Sequence, residues 1–343
     1  MSHDAQTPGA TEPGSGVAAP EASATAVSAG VGLSFGFGSD RGLRRELNED
    51  SFLACDPIFA VADGMGGHEA GEVASRECIS VLSRQPALIA GSRTATAADL
   101  ATALRQADSR IREVSAARAG TTVTGVTLVE ERGVPYWLVF NVGDSRTYRL
   151  SQGELAQVSV DHSEVQELVD GGYITPAEAL VHPRRHVVTR ALGTGNDTEA
   201  DYWLVPVVEG DRMMVCSDGL TNEVTDDQIH RALSTLSHPQ DAVDSLIQSA
   251  LRSGGRDNVT VVVVDASNVR DGDNGQTHSG RAGESTAEDT LPRIPRIPVD
   301  DSTDETVQTL EASNEPVLTR QAETADTAEP FSPQNNFGDD IHG

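Results

Sequence analysis

The chain contains no lysine, and all 25 of its basic residues are arginine. This absence excludes a lysine nucleophile and a lysine Schiff base. Arginine and lysine are not interchangeable at phosphate sites, but so complete a bias indicates a genomic cause. We interpret it as the mark of a GC-rich bacterium.

Cysteines and long apolar runs are also scarce. Cys55, Cys78 and Cys216 are widely spaced and have apolar neighbours, which favours reduced, buried thiols over a disulfide framework or a zinc site. No apolar run approaches the ~20 residues that span a bilayer. The first residues lack the basic and apolar regions of a secretion signal. We therefore predict a cytoplasmic protein without a membrane segment.

Positive charge is scarce in this chain. It has 25 Arg against 53 Asp and Glu, which gives a net charge of −28. This balance argues against nucleic acid and against an anionic membrane surface as partners. An anionic substrate would be repelled as well, unless bound divalent cations inverted the local field.

The two ends of the chain differ in composition from the middle. Residues 1–31 are rich in Ala, Gly, Ser, Thr and Pro, and residues 269–343 carry 16 acidic residues against 5 Arg. Such segments cannot bury enough apolar surface to offset chain entropy, so we predict a disordered N-terminal extension and a disordered acidic C-terminal tail. Threonines beside acidic residues leave open that the tail is phosphorylated by a kinase or is a docking site for a partner. Residues 32–268 form the one predicted domain.

The middle of the chain combines short strand-like runs with helical periodicity. Runs rich in Val, Thr and aromatic residues predict strands at 32–38, 51–54, 58–61, 121–129, 136–142, 145–150, 212–216 and 259–264. Apolar spacing predicts helices at 69–83, 97–117, 163–169, 175–180, 225–233 and 239–251. The order is not a regular βαβ alternation, which favours an α+β domain with antiparallel sheets.

Five aspartates stand at junctions of strand-like runs and turns: Asp50, Asp63, Asp144, Asp218 and Asp257. A strand that ends in Asp-Gly places a carboxylate on a loop held by a rigid scaffold. Mg²⁺ and Mn²⁺ prefer carboxylate, carbonyl and water oxygens. Each site alone fits ordinary turn chemistry, but the five together, with their neighbours, indicate a metal centre.

Seven short motifs occur in one order, and they resemble those of the metal-dependent protein phosphatases, the PPM or type 2C class, the bacterial branch in particular. They lie at residues 39–50, 61–75, 120–122, 143–146, 189–193, 217–219 and 255–258. The resemblance spans residues 34–265. It implies a four-layer α-β-β-α sandwich of two antiparallel sheets flanked by helix pairs. It also implies hydrolysis of phosphoserine and phosphothreonine in proteins, by a water activated by two Mn²⁺ or Mg²⁺ ions.

The resemblance implies a role for each matched acidic position. Asp63 would bridge the two metal ions. Asp218 and Asp257 would complete one metal site, and the carbonyl oxygen of Gly64 would bind the other ion.

Further positions are implied around this centre. Asp50 and Glu49 would hold metal-bound waters, and Asp144 with Asp218 would offer a weaker third site. Arg45, the one positive side chain among the matched site positions, would bind the substrate phosphate, since a guanidinium suits a pair of phosphate oxygens. Without the motif, we would interpret Arg45 as a surface salt bridge to Glu46 or Glu49.

The segment 161–192 corresponds to the mobile flap of the family. His186 stands in it where Asn is common, and we expect His182 and His186 to be solvated rather than catalytic. Met65 stands where animal members carry a general-acid histidine, and it cannot donate a proton. The leaving oxygen would then be protonated by metal-bound water or another group, with His68 as a further candidate.

Two other functions stay open from the sequence. The domain could be a non-catalytic phosphoprotein-binding module, although such modules lack a metal aspartate and all are present here. It could also be a phosphatase dedicated to a sigma-factor regulator. Asn48-Glu49-Asp50 and Arg45 favour the general bacterial type, which opposes serine/threonine kinases. We expect a monomer whose partners are phosphorylated proteins. Cys216 lacks a phosphate-binding loop and is not predicted to be a nucleophile.

Overall fold

The fold is described from a computed structural model of the chain. It describes residues 30–66, 70–116, 118–195 and 198–269, together with the backbone of Thr25–Val27. The C-terminal tail from 270 and the other residues of the N-terminal extension lie outside the described residues. The predicted domain boundaries at 32 and 268 therefore stay predictions.

The strands of the described residues form two antiparallel sheets. The first has the order β1 (Thr25–Val27), β2 (Gly32–Asp40), β12 (Val259–Ser267), β11 (Arg212–Cys216), β8 (Arg146–Ser151) and β9 (Glu154–Gln157). The second has the order β10 (Asp201–Pro206), β7 (Val134–Val142), β6 (Val123–Glu131), β4 (Ile58–Gly66) and β3 (Asp50–Cys55). A short strand, β5 (Ala119–Thr121), pairs with the end of β4.

The two sheets pack face to face around a core of alternate residues. In β12, Val262 and Val264 belong to the cluster between the sheets, whereas Val261 and Val263 pack on the other face. Successive side chains of a strand point to opposite faces, so a run of apolar residues covers both sides of a central strand. The apolar run of β12 therefore requires a helical layer outside its sheet.

Helices cover the outer face of each sheet. Helices α1 (Ala70–Leu82) and α2 (Ala97–Ser115) pack on the second sheet, and α5 (Asp218–Thr221), α6 (Asp226–Thr235) and α7 (Pro239–Ser253) pack on the first. The excursion between β9 and β10 contains α3 (Glu164–Asp170) and α4 (Pro176–Ala179), and a 3₁₀ turn lies at Pro86–Leu88. The predicted four-layer α-β-β-α sandwich is confirmed.

Several local predictions agree with the structure and a few do not. Strands β6 and β7, which correspond to predicted strands, are joined by a two-residue hairpin turn at Arg132 and Gly133, whose φ angles are 54° and 80°. The single strand predicted at 121–129 is two strands, β5 and β6, interrupted at Thr122. Strands β1, β9 and β10 and helix α5 are not among the predicted elements, and β1 lies within the segment 1–31 that the composition predicts to be disordered.

The three cysteines differ in exposure. Cys78 and Cys216 are buried, and burial raises the pKa of each thiol to about 12. Cys55 is exposed at the end of β3, so the prediction of buried thiols was wrong for this residue, because it stands where its strand leaves the sheet. Among the described residues, no helix combines the length and apolarity needed to traverse a bilayer.

Candidate active site

The pairing of β3 with β4 brings the first two predicted aspartates together. Asp50 is the register partner of Asp63, and the amide of Gly64 donates to the carbonyl oxygen of Glu49 at 3.2 Å. The carbonyl oxygen of Asp63 accepts two hydrogen bonds at 2.9 Å, one from the hydroxyl of Thr121 and one from the amide of Thr122. These bonds fix the main chain of Asp63. Two motifs separated in sequence thus form one edge of a site.

The first sheet contributes the opposite edge. Asp218 follows β11 and opens α5, and Asp257 precedes β12, the antiparallel neighbour of β11. Helix α5 lies very close to the loop before β12, since a Cβ atom on Gly219 would stand 1.9 Å from the carbonyl oxygen of Asn258. Glycine is therefore required after Asp218, which explains the Asp-Gly pair in terms of packing.

Asp144 belongs to the turn between β7 and β8. The preceding Gly143 has a φ of +104°, and a Cβ atom there would lie 2.5 Å from Thr122. The hydroxyls of Thr122 and Ser145 are 2.8 Å apart on the other side of the turn. A conformation that only glycine adopts readily thus aims Asp144 into the site.

The buried amide of Asn258 connects two loops, residues 41–49 and the loop before β12. Its Nδ2 donates to the carbonyl oxygens of Arg41 and Leu47, each at 2.9 Å, and its Oδ1 accepts from the amide of Glu49 at 2.8 Å. The main-chain amide of Asn258 also donates to Oδ1 of Asp257 at 2.8 Å. One side chain therefore orients the loop that carries Glu49 against the loop that carries Asp257.

These elements enclose a cleft of about 520 Å³. Of the residues proposed from sequence, its walls include Arg45, Glu49, Asp63, Gly64, Asp144, Asp218 and Asp257. Asp50 does not line the cleft. It lies buried behind Asp63, where its Oδ2 accepts from the hydroxyls of Ser217 at 2.8 Å and Thr260 at 2.7 Å.

The crowding of carboxylates has a clear electrostatic effect. Burial, and then the charges of Asp50 and Asp218, raise the pKa of Asp63 well above its ordinary value. Burial also raises the pKa of Asp50 to about 7, against the opposing hydrogen bonds of Thr260 and Ser217, and that of Asp144 to about 8. Without cations, several of these groups keep their protons near neutral pH.

The donor set fits hard divalent cations. Oδ1 of Asp50 and Oδ1 of Asp218 are buried without a hydrogen-bond partner. Such oxygens are costly unless something positive binds them. Within the described residues, no three His, Cys, Asp or Glu side chains form a complete metal site by themselves. Ions held here would therefore also need main-chain oxygens, such as that of Gly64, and water.

Arg45 lies at the rim of the cleft. Its Nη2 is 2.6 Å from Oδ2 of Asp257, and its Nη1 is 3.8 Å from Oε2 of Glu49. The guanidinium is half-exposed, so it offsets carboxylate charge while remaining accessible from the cleft. Arg185 and Arg256 also line the cleft. The sequence-based view that Arg45 was the one positive side chain of the site was therefore wrong.

The similarity of this chain to known proteins agrees with this geometry. The model of the protein phosphatase 2C family matches residues 40–252. The chain belongs to the protein phosphatase 2C family. It is 43% identical over 262 residues to the serine/threonine protein phosphatase PstP of Mycobacterium tuberculosis H37Rv, covering 74% of this chain and 49% of PstP. The chain thus spans about half the length of these PstP relatives.

Shorter relatives and solved structures match more completely. The serine/threonine phosphatase stp of Listeria monocytogenes is 36% identical over 243 residues, covering 67% of this chain and 94% of stp. A crystal structure of the PstP catalytic domain with two manganese ions superposes with a TM-score of 0.62 at 40% identity, covering 69% of this chain and 99% of that one. The domain described here corresponds to a whole phosphatase 2C catalytic domain.

The flap of this phosphatase 2C domain places a histidine beside the carboxylates. His186 is exposed, which agrees with the expected solvation, and it also lines the cleft together with Asp218. Burial raises the pKa of Asp218, and the nearby His186 acts in the opposite direction. Sequence alone did not place Arg185 or His186 at the cleft, because the position of a loop depends on tertiary contacts. Met65 also lines the cleft, and His68 lies outside the described residues.

Proposed function

We propose that this protein is a metal-dependent phosphatase that hydrolyses phosphoserine and phosphothreonine in proteins. The observation that carries the proposal is the meeting of Asp63, Asp144, Asp218 and Asp257 at one cleft, with buried, unpartnered carboxylate oxygens and with Arg45 at the rim. An acidic cleft of this kind would repel an anionic substrate unless bound cations neutralised its charge.

The cleft would hold two Mn²⁺ or Mg²⁺ ions. Asp63 would bridge them, Asp218 and Asp257 would complete one site, and the carbonyl oxygen of Gly64 would serve the other. The PstP catalytic domain, a relative at 40% identity, was crystallised with two manganese ions. Bound divalent ions supply Lewis acidity and lower the pKa of water.

The remaining residues of the site would hold metal-bound waters, the substrate phosphate and a third ion. Glu49 and Asp50 would hold metal-bound waters, Asp50 from behind Asp63 through its free Oδ1. Arg45 would exchange part of its contact with Asp257 for the phosphate oxygens of the substrate, a geometry that suits a guanidinium. A weaker third ion would lie between Asp144 and Asp218, both of which line the cleft.

We further propose that the chain acts in the cytoplasm as a monomer. Its substrates would be phosphorylated proteins, namely serine/threonine kinases and the proteins that these kinases modify. Residues 32–268 would form the catalytic domain, flanked by a disordered N-terminal extension and a disordered acidic tail. The similarity to bacterial serine/threonine phosphatases supports phosphorylated proteins as the class of substrate.

Phosphate release from a phosphothreonine peptide tests the proposal. We expect turnover with Mn²⁺, none with EDTA, and recovery on adding Mn²⁺ back. Asp63→Asn and Asp218→Asn should each lower kcat more than ~100-fold, as expected for removal of a group that stabilises the transition state. Asp244→Asn, an exposed residue of α7, is the control with the same charge change.

Two results would contradict the proposal: turnover that survives exhaustive chelation, and wild-type turnover in Asp63→Asn. Binding of the phosphopeptide without phosphate release would instead identify a non-catalytic phosphoprotein-binding module.

A further inference from the structure

His162 stands where the flap, residues 161–192, leaves the domain, and its ring is buried with both nitrogens in use. Nδ1 accepts a hydrogen bond from the amide of Gly143 at 3.1 Å, so the ring proton must be on Nε2. Nε2 then donates to Oδ2 of Asp201 at 2.8 Å. The contacts thus specify one neutral tautomer of the imidazole.

The main chain of His162 makes two more bonds. Its amide donates to the carbonyl oxygen of Gly143 at 2.9 Å, and its carbonyl oxygen accepts from the amide of Thr189 at 2.8 Å. Ser163 and Val188 form an isolated bridge beside it. His162 therefore bonds both polar main-chain groups of Gly143 and also joins the two ends of the flap.

Gly143 immediately precedes Asp144, and further hydrogen bonds restrict the conformation of the turn that contains both residues. Its carbonyl oxygen also accepts from Nδ2 of Asn141 at 2.9 Å, and the same Nδ2 donates to the carbonyl oxygen of Val160 at 3.1 Å. On the far side of the ring, Asp201 accepts from Arg190, near the C-terminal end of the flap, at 3.4 Å. Contacts thus run continuously from the turn of Asp144, through the imidazole, to that end of the flap.

We propose that His162 is a positioning residue that locks the Asp144 turn to the base of the flap, so that the two change conformation together. The inference rests on the proposed function, in which Asp144 serves the weakest metal ion. In this role, the buried imidazole couples movement of the flap to the position of Asp144, which is the ligand of that ion. Neither Gly143 nor Asp144 could then shift while the flap stayed in place.

Two variants of the full chain separate the contacts of the ring. In His162→Asn, Oδ1 takes the position of Nδ1 and still accepts from Gly143, but the side chain cannot reach Asp201. His162→Leu has a similar shape and makes neither bond. Asp265→Asn, which removes the charge of a partly buried ion pair with Arg212 on the first sheet, is the control for general loss of stability.

Hydrogen exchange of the Mn²⁺-loaded proteins is the first measurement. In His162→Leu we expect faster exchange both at the 143–144 turn and across the flap. In His162→Asn we expect faster exchange in the flap alone. Equilibrium Mn²⁺ binding, followed by electron paramagnetic resonance, should show the weakest ion binding about 10–100-fold less tightly in His162→Leu, with the tighter ions unaffected.

Wild-type exchange rates in both segments of His162→Leu would overturn the inference. If that variant does not fold, flap exchange in His162→Asn equal to wild type would overturn it. Failure of the proposed function looks different, since phosphate release would then be absent, or would not depend on Mn²⁺ and Asp63, whatever the exchange data show. Unchanged exchange in an enzyme that needs Mn²⁺ and Asp63 defeats the positioning role alone.

Discussion

The buried amide of Asn258 illustrates how a residue that binds no ion can still determine a site. It is only 3% exposed, and its three side-chain hydrogen bonds go to main-chain groups of residues 41–49. Buried polar main-chain groups are expensive to leave unpaired. The loop that carries Arg45 and Glu49 therefore depends on this side chain for its position.

Asn258→Ala should lower the free energy of unfolding by about 2–3 kcal/mol, because it leaves buried main-chain groups unpaired. Guanidinium denaturation of the metal-free protein measures this loss. Asn222→Ala, which removes a single side-chain hydrogen bond to Asp218, is the comparison. Equal midpoints for Asn258→Ala and wild type would show that water replaces the lost bonds.

Arg45→Lys should raise KM for phosphopeptides about 10-fold, with kcat much less affected, because an ammonium cannot offer two parallel N–H donors to phosphate. Steady-state kinetics with Mn²⁺ at saturation provide the measurement. Since a lysine keeps the charge beside Asp257, metal affinity should change little. A KM equal to that of wild type would mean that Arg45 serves only its ion pairs.

At the scale of the elements, the flap places an arginine side chain at the cleft that contacts no carboxylate among the described residues. Arg185 lines the cleft and is exposed, and its contact within the described residues is a hydrogen bond to the carbonyl oxygen of His182 at 3.4 Å. Arg45 and Arg256, by contrast, contact carboxylates. Arg185 is therefore available to an acidic group beside the phosphorylated residue of a substrate.

Arg185→Ala should raise KM about 2–5-fold for phosphopeptides with acidic neighbours, the range expected for an exposed ion pair. Peptides with neutral neighbours should be affected less, as should p-nitrophenyl phosphate. Arg231→Ala is the control with the same charge change, at an exposed residue of α6 that does not line the cleft. An equal effect on acidic and neutral peptides would indicate general attraction rather than a local contact.

The elements that the sequence predicts well are those with a strong local pattern. Strands β4, β7, β11 and β12 have continuous or alternating apolar residues, and α2 begins at a Thr96 capping box. Strand β9 is short, polar and at an edge, and α5 is a single turn, so neither has enough residues to show a period. Strand β10 is apolar but ends in Pro206, which weakens a strand pattern.

The residues of the candidate site likewise fall into those that the sequence locates and those that it does not. Its carboxylates lie in or beside strands that have strong local patterns, so the order of the motifs is enough to locate Asp63 and Asp218 in the sequence. The bonds of Asn258 and His162 connect residues up to 217 positions apart, and no local pattern encodes them. The same holds for Arg185 and His186, which reach the cleft only through the path of the flap.

At the scale of the whole molecule, the acidic centre makes metal binding and stability interdependent. The pKa of Asp50, about 7, and that of Asp144, about 8, lie well above the ordinary value of 3.8. The folded, metal-free protein therefore retains protons that the unfolded chain has released. Its free energy of unfolding should fall as pH rises through about 7–8 and should be greatest on the acid side of this window.

The melting temperature of the metal-free protein should accordingly fall between pH 6 and pH 8, with each kcal/mol equal to about 2–4 °C. Bound Mn²⁺ replaces the retained protons, so the gap between the curves with Mn²⁺ and with EDTA should widen with pH. Calorimetry at several pH values measures both. In Asp50→Asn the decline should be smaller, and parallel curves for wild type would contradict the argument.

The location of the three thiols has a practical outcome for solution studies. Strand β3 runs from Asp50 to Cys55, so the accessible sulfur lies about 17 Å along the strand from the acidic centre. The other two sulfurs are enclosed beneath the helical layers. A maleimide fluorophore should therefore attach at one position of the native domain without entering the cleft. Paired with an acceptor dye on a peptide, it would report substrate docking by energy transfer in the unaltered sequence.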